Sequence, residues 1–192
     1  IIPIQEIIKA HCLDKVHFVP TNIPTTSKKI IASPSQRISM MKVCLNNASS
    51  IIDDREIIRG GISYTIDTIE SIKKEYYNTS LYLLVGMDTL QNIKLWKNFN
   101  ELINICNIIV SLRNHKNINY MEAINEDSQL HSLISTDRTI FHSASYGKIY
   151  LEETSVVNIS STEIRDKLRK KQSVSGLLSP QLDKWLSKNN IY

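Results

Sequence analysis

A helix start rich in hydroxyl groups stands near the C-terminus, at residues 158–165 (Asn-Ile-Ser-Ser-Thr-Glu-Ile-Arg). Hydroxyls and free N–H groups at a helix start attract an anion, and the helix dipole strengthens that attraction. Arg165, one turn later, adds a charge-assisted donor. The pattern is typical of a phosphate-binding segment that uses no glycine. A capping box followed by a surface arginine is the alternative that these residues leave open.

Other positions could contact a nucleotide. Asp88 follows an apolar run and Gly86, where a carboxylate could accept hydrogen bonds from ribose hydroxyls or cap a helix. Trp96 could stack on a planar ring, or belong to the core. The loop that begins at Pro20 carries Lys28, and it could hold a polyanion or be a flexible solvated loop. Each of these signals is weak alone.

Several classes of protein are excluded by the composition. With only 5 glycines in 192 residues, the chain contains no Walker lysine motif, no Gly-x-Gly-x-x-Gly and no nucleophile elbow, so a P-loop kinase and a dinucleotide oxidoreductase are excluded. The 5 histidines and 3 cysteines lack the spacing of a zinc site. We therefore expect no protein-held structural metal.

The charge and the cysteines bear on partners and compartment. The net charge of +4 comes from basic residues scattered among 19 acidic ones, so we expect no nucleic-acid partner. Cys12, Cys44 and Cys106 are interpreted as buried free thiols in a reducing cytoplasm. No apolar run is long enough to span a membrane, so no membrane partner is expected.

The hydrophobic pattern alternates between strands and helices. Continuous apolar runs predict strands at 15–19, 50–58, 81–85, 107–112 and 148–151. Helices are predicted at the N-terminus, at 35–45, from Asp88 through Trp96, and at 98–106, 161–171 and 179–189. Another helix is predicted after a cap at Ser63, with Ile66, Ile69, Ile72 and Tyr76 on one apolar stripe. This pattern predicts an α/β fold, a doubly wound and mostly parallel sheet with helices on both faces. We expect one domain over residues 1–192, with 114–139 as a peripheral variable segment and a weak helix near 120–124. Ligands of such sheets bind beyond the carboxyl ends of the strands.

The motifs, taken in order, resemble the bacterial nicotinate-nucleotide adenylyltransferase family of the nucleotidyltransferase superfamily. The matching elements are Phe-Val-Pro-Thr-Asn-Ile-Pro at 18–24, Gln-Arg at 36–37, Arg-Gly-Gly-Ile-Ser-Tyr-Thr at 59–65, Val-Gly-Met-Asp-Thr-Leu at 85–90, Leu-Trp-Lys at 95–97, the segment from Ile-Ile-Val at 108–110 to Arg113, Ile-Ser-Ser-Thr-Glu-Ile-Arg at 159–165 and the C-terminal residues 177–192. The resemblance covers nearly the whole chain.

Two departures from the family pattern stand out. The family begins with a strand and a Gly-x-Phe-x-Pro-x-His-x-Gly-His turn whose two histidines bind ATP phosphates. This sequence begins at Ile1, just after the last of them. We expect that strand and the catalytic two-histidine motif to lie upstream of Ile1, so the catalytic residues are unknown here. In the loop after Pro24, Thr26 replaces a phosphate-contacting histidine.

The resemblance implies transfer of AMP from ATP to nicotinate mononucleotide, giving deamido-NAD and pyrophosphate, with Mg²⁺ accompanying ATP. The ATP-binding residues that it implies are Gly86, Asp88, Ser160, Ser161, Arg165 and Lys28. Those implied for nicotinate mononucleotide are Asn22, Thr65, Trp96, Lys97 and Arg113. A backbone N–H near Thr65 would read the pyridine carboxylate, so the nicotinate form should be preferred over the amide.

Three alternatives remain at this point: a related adenylyltransferase acting on phosphopantetheine, a non-catalytic nucleotide-binding remnant, and a structural or partner-binding α/β domain. Ser63-Tyr64-Thr65 together with Trp96 favours a pyridine substrate over phosphopantetheine. The sequence leaves the oligomeric state open.

Overall fold

The structure is a computed structural model, which describes residues 2–26, 30–45, 48–113, 124, 127–155, 160–189 and 191, with only the backbone described at residue 113. The α-helices are α1 (Ile2–Ala10), α2 (Pro34–Cys44), α3 (Arg55–Arg59), α4 (Thr65–Glu75), α5 (Met87–Leu90), α6 (Phe99–Ile103), α7 (Ser128–Leu133), α8 (Arg138–Ser143), α9 (Ser161–Arg169) and α10 (Pro180–Asn189). The strands are β1 (Val16–Phe18), β2 (Ser50–Ile52), β3 (Tyr82–Gly86), β4 (Asn107–Arg113), β5 (Ile134–Ser135) and β6 (Ile149–Thr154). No helix in these described ranges is both long and apolar enough to cross a membrane.

The chain forms two compact units, each built from two segments. The first unit comprises Ile1–Cys12 and Tyr64–Val157, and the second comprises Leu13–Ser63 and Asn158–Tyr192. Of the strands in the described residues, four belong to the first unit and two to the second.

The first unit contains a four-stranded parallel sheet in the order β3-β4-β6-β5. Gly86 of β3 pairs with Ser111 of β4, and Ser111 pairs with Glu152 of β6. Ile108, Ile109 and Val110 of β4 are all fully buried. A strand whose successive side chains are all buried is covered on both faces, since neighbouring side chains point to opposite sides. The predicted α/β fold is confirmed.

Helices of the first unit supply the apolar side chains that cover this sheet. Ile66 and Ile69 of α4 pack with Leu102 and Cys106 in one core cluster. Met87 and Leu90 of α5 belong to a larger one, which also includes Ile108 and Val110 of β4. The apolar stripe predicted for α4 is therefore the face that it buries.

The segment between β4 and β6 contributes more to the first unit than its polar composition indicates. Ile124 and Leu130 are buried in the larger core cluster, and β5 pairs with β6 at the edge of the sheet. Most of the weak helix predicted near 120–124 lies outside the described residues.

The second unit contains a two-stranded parallel sheet in which β1 pairs with β2. Helix α2 begins with a full capping box, since Ser33 and Gln36 bond reciprocally to each other's backbone N–H groups. Helix α10, predicted over 179–189, begins at Pro180 and packs against α2.

Local predictions differ from the structure at three places. The run at 50–58 is not one strand: β2 ends at Ile52, and Asp53 then accepts hydrogen bonds from the Arg55 backbone and guanidinium at the start of α3. The helix predicted through Trp96 is broken, because α5 ends at Leu90 and only a 3₁₀ turn follows at 93–95. Cys12 is exposed and Cys44 half-buried, so burial was predicted correctly only for Cys106.

Candidate functional site

Lys97 lies against the beginning of α4, the helix that carries Thr65. Its Nζ is 3.1 Å from Oδ1 of Asp67 and 4.4 Å from the centre of the Tyr64 ring. Trp96 is half-buried and packs against both core clusters of the first unit. The structure therefore brings together Thr65, Trp96 and Lys97, three of the residues predicted to bind the mononucleotide.

The first turn of α4 has no side-chain cap. Tyr64 occupies the N-cap position and makes no side-chain hydrogen bond to the helix. The N–H groups of a helix's first turn have no partner within the helix, so they are donors available to a ligand. Asp67 places a negative charge in this turn, and the Lys97 ammonium offsets it. The electrostatic setting suits a bound carboxylate.

Gly86, Asp88 and Arg113 lie at the carboxyl ends of neighbouring strands. Gly86 is the last residue of β3, and Arg113 is the last of β4, two residues beyond the partner of Gly86. Asp88 is exposed in the first turn of α5 and is not that helix's cap, since Gly86 holds the N-cap position. The helix-cap alternative for Asp88 is therefore wrong, and its carboxylate is accessible. The Arg113 side chain lies outside the described part of the structure.

Asn22 of the second unit is held by the turn that follows α3. Its backbone N–H donates to Ser63 Oγ at 2.9 Å, and its Nδ2 donates to the Gly61 carbonyl at 2.9 Å. Arg37 of α2 donates to the carbonyl of Thr21, the residue that precedes Asn22. Asn22 is thus fixed from two directions.

The start of α9 has a helix-capping geometry, which was one of the two interpretations of residues 158–165, the other being phosphate binding. Ser160 Oγ accepts from the N–H groups of Thr162 and Glu163, at 3.2 and 3.5 Å. Arg165 turns back toward the helix start, with Nη2 3.3 Å from Thr162 Oγ1. Ser161 is exposed as the first helical residue. Lys28, the remaining predicted ATP contact, lies outside the described residues.

Sequence reasoning did not identify Asp67, and it named Ser63 and Arg37 as motif residues without predicting that they support Asn22 and its loop. Asp67 carried a signal, since it lies one turn into a helix that begins at a predicted ligand residue. Ser63 was predicted as the cap of α4, and this was wrong because its hydroxyl is bonded to the Asn22 amide instead.

A cluster of charged and polar side chains in the second unit is centred on Asp53. His17 Nδ1 lies 2.8 Å from Asp53 Oδ2, and Arg55 Nε is 2.8 Å from both carboxylate oxygens. Burial alone would raise the pKa of Asp53, but the hydrogen bonds from Arg55 and His17 outweigh it and hold that pKa below its usual value. The carboxylate is therefore ionised at neutral pH and ties the ends of β1 and β2 to α3.

A model of the cytidylyltransferase-like family matches residues 3–167, so the chain is a nucleotidyltransferase of that family. A Psychromonas ingrahamii protein is 31% identical over 99% of this chain and 88% of its own length. A Borreliella afzelii protein is 35% identical over 94% of this chain and 82% of its own. Both are named probable nicotinate-nucleotide adenylyltransferases. The chain belongs to the nicotinate-nucleotide adenylyltransferase family.

A solved structure of similar fold is Plasmodium falciparum nicotinic acid mononucleotide adenylyltransferase complexed with NaAD. Its TM-score is 0.68 at 19% identity, over 98% of this chain and 89% of that one. At 19% identity this similarity shows a shared fold, and that fold agrees with the parallel sheet described above.

Proposed function

We propose that the protein transfers AMP from ATP to nicotinate mononucleotide, producing deamido-NAD and pyrophosphate. The observation that carries the proposal is the uncapped start of α4, with Lys97 beside it, in a chain of the nicotinate-nucleotide adenylyltransferase family. Such a helix start suits a substrate that carries a carboxylate on its ring.

In the proposed reaction a phosphate oxygen of the mononucleotide attacks the α-phosphorus of ATP. The new P–O bond forms as the bond from the α-phosphorus to the bridging oxygen breaks, and that oxygen leaves with pyrophosphate. Because no covalent intermediate with the protein is needed, the protein acts by positioning the two nucleotides and by stabilising charge. Arg165, Ser160 and Ser161 would hold ATP phosphates, with Lys28 adding charge, and Asp88 beside Gly86 would accept from the adenosine ribose.

The mononucleotide would be held mainly through its pyridine ring. Trp96 would stack on the ring, and the backbone N–H at Thr65 would donate to the carboxylate while Lys97 adds positive charge. Asn22 and Arg113 complete the set of proposed contacts.

We propose Mg²⁺ as the companion of the ATP phosphates. The described residues contain no group of three or more His, Cys, Asp or Glu side chains that could hold a metal. Mg²⁺ commonly binds through substrate phosphates and water with few protein ligands, so it does not require such a group. The ion would neutralise phosphate charge. The free cysteines support a reducing, cytoplasmic location.

The test compares nicotinate and nicotinamide mononucleotides as substrates of the full-length natural protein. A carboxamide brings NH₂ donors against the donors at α4, so we expect kcat/KM to favour the nicotinate form by at least about a hundredfold. Formation of deamido-NAD and pyrophosphate is measured with ATP saturating. A ratio near one would contradict the pocket assignment, and activity only with phosphopantetheine would replace the proposed substrate.

Lys97→Ala gives a sharper test of the same pocket. We expect this change to raise KM for nicotinate mononucleotide by roughly tenfold and to reduce the discrimination against the amide. Lys94→Ala is the matched control, since Lys94 is also a half-exposed lysine paired with an aspartate, Asp127, at 2.7 Å. Equal effects of the two changes would contradict a role for Lys97 in reading the carboxylate.

A further inference from the structure

Two segments of the second unit are fastened to each other: the β1 loop (residues 20–24) and the glycine turn (residues 60–63). Asn22 of the loop donates twice, from its backbone N–H to Ser63 Oγ and from Nδ2 to the Gly61 carbonyl. In return Ser63 donates its own N–H to the Ile23 carbonyl at 2.8 Å. Ser63 therefore uses both its backbone N–H and its hydroxyl on the β1 loop.

The glycine turn has a backbone that requires glycine. Gly60 has φ of +71° and Gly61 has φ of +68°, in the region that side chains with a Cβ rarely adopt. Gly60 also ends α3, since its N–H donates to the Glu56 carbonyl. This fixed turn presents the Gly61 carbonyl to Asn22.

The Asn22 carboxamide has a set orientation but retains bonding capacity. One Nδ2 hydrogen is used on Gly61, and within the described ranges the side chain makes no other hydrogen bond. A carboxamide can donate two hydrogen bonds and accept two, so one N–H and the oxygen remain for a ligand.

The choice of partner for Ser63 also affects α4. A serine just before a helix commonly caps it, as Ser33 caps α2. Ser63 is instead bonded to Asn22, and Tyr64 takes the N-cap position without a side-chain bond. Ser63 therefore bonds to the β1 loop and does not cap α4.

We infer that Ser63 is a positioning residue for mononucleotide binding, because its hydroxyl and its N–H hold the loop that carries Asn22. The inference rests on the proposed function and adds a residue that touches no substrate. Its effect is on binding, because Asn22 is a proposed contact to the mononucleotide and not to the attacked phosphorus.

The test uses Ser63→Ala in the full-length natural protein, with Ser63→Thr as the variant that keeps the hydroxyl. We expect Ser63→Ala to raise KM for nicotinate mononucleotide by roughly tenfold, with kcat and KM for ATP within about twofold of wild type. Ser63→Thr should recover most of the loss. Hydrogen exchange should be faster at the Asn22 amide in the alanine variant, because that amide loses its acceptor.

Ser179→Ala is the control for general loss of stability. Ser179 Oγ accepts one backbone N–H bond, from Leu182 at 3.3 Å, in the same unit. This variant should leave KM for nicotinate mononucleotide unchanged. If Ser63→Ala does not fold, Ser63→Cys, which keeps the shape but offers only a weak acceptor, makes the same comparison.

The outcomes separate this inference from the proposed function. A wild-type protein that does not transfer AMP to nicotinate mononucleotide contradicts both. An active wild type with an unchanged KM in Ser63→Ala overturns the role of Ser63 alone. A fall in kcat with KM unchanged, or an equal effect of Ser179→Ala, would also overturn it.

Discussion

Replacing Glu152 by leucine should destabilise the first unit far more than replacing it by glutamine, because Glu152 lies at the buried end of a chain of hydrogen bonds. Its Oε2 lies 2.8 Å from His11 Nε2, and it also accepts from Arg138 at 3.0 Å. His11 Nδ1 is 3.0 Å from His142 Nε2, and His142 Nδ1 is 3.0 Å from the Tyr82 hydroxyl. The chain of bonds thus links the turn after α1 to α8, β3 and β6.

The direction of these bonds follows from the carboxylate, which only accepts. His11 must donate from Nε2 to Glu152, so a neutral His11 accepts at Nδ1 from His142 Nε2–H. His142 then accepts at Nδ1 from the Tyr82 hydroxyl. A glutamine at position 152 can reverse the whole chain, donating its NH₂ to His11 and accepting from Arg138, whereas leucine cannot.

The expected loss for Glu152→Leu is about 2–3 kcal/mol in the free energy of unfolding. A buried N–H on His11, whose side chain is fully buried, is left without an acceptor at a cost of about 1–3 kcal/mol. The lost Arg138 pair adds at most about 1 kcal/mol, because that side chain is 44% exposed. At about 2–4 °C per kcal/mol for a chain of this size, Tm should fall by roughly 5–10 °C. Glu152→Gln should cost under about 1 kcal/mol.

Urea and thermal unfolding followed by circular dichroism at pH 7.5 measure both variants. The double variant His11→Leu with Glu152→Leu should recover part of the loss, since removing both partners leaves no orphaned pair. Equal stability of wild type, Glu152→Leu and Glu152→Gln would refute the hydrogen-bond chain. A loss in Glu152→Gln as large as that in Glu152→Leu would refute its reversibility.

The remaining predictions concern acid stability and phosphate binding. Burial lowers the pKa of both His11 and His142, so the folded state binds fewer protons than the unfolded chain. The contribution of these two histidines to the free energy of unfolding is therefore fully present above pH about 6.5, and it is lost as the pH falls below that value. His142→Gln, which can still donate to His11 and accept from Tyr82, should flatten this loss in urea titrations, whereas His131→Gln, at an exposed site, should not. Arg165→Ala should reduce kcat/KM for ATP by roughly 30- to 150-fold, which corresponds to about 2–3 kcal/mol of lost binding free energy, and Tm should change little. The control variant Arg169→Ala, in the same helix, should leave the kinetics with ATP unchanged.

The sheet could be predicted because its strands carry their signal locally. Residues 107–112 are apolar without interruption, and the structure buries Ile108, Ile109 and Val110 completely. The same holds for the apolar stripe of α4. Both patterns depend only on which face of a strand or helix is buried, and the spacing of apolar residues along the chain indicates that face.

The hydrogen-bond partners could not be predicted, because they depend on residues far apart in the chain. Ser63 bonds to a residue 41 positions away, and His11 to one 141 positions away. Sequence rules that consider only neighbouring residues predicted Ser63 as a helix cap and predicted no role for the histidines. Capping preferences describe the average helix start, and they fail where another acceptor or donor competes for the same hydroxyl.

Ser160 and Ser63 illustrate what this competition does to a binding residue. Ser160 accepts from two N–H groups of α9 and so caps its helix as the sequence allowed. A serine hydroxyl can accept two bonds and still donate one, so capping leaves its O–H free to donate to a phosphate oxygen. The capping and phosphate-binding interpretations of residues 158–165 are therefore compatible. At α9 the donors to a phosphate would be side chains, those of Ser160, Ser161 and Arg165, whereas at α4 the donors to the carboxylate would be backbone amides.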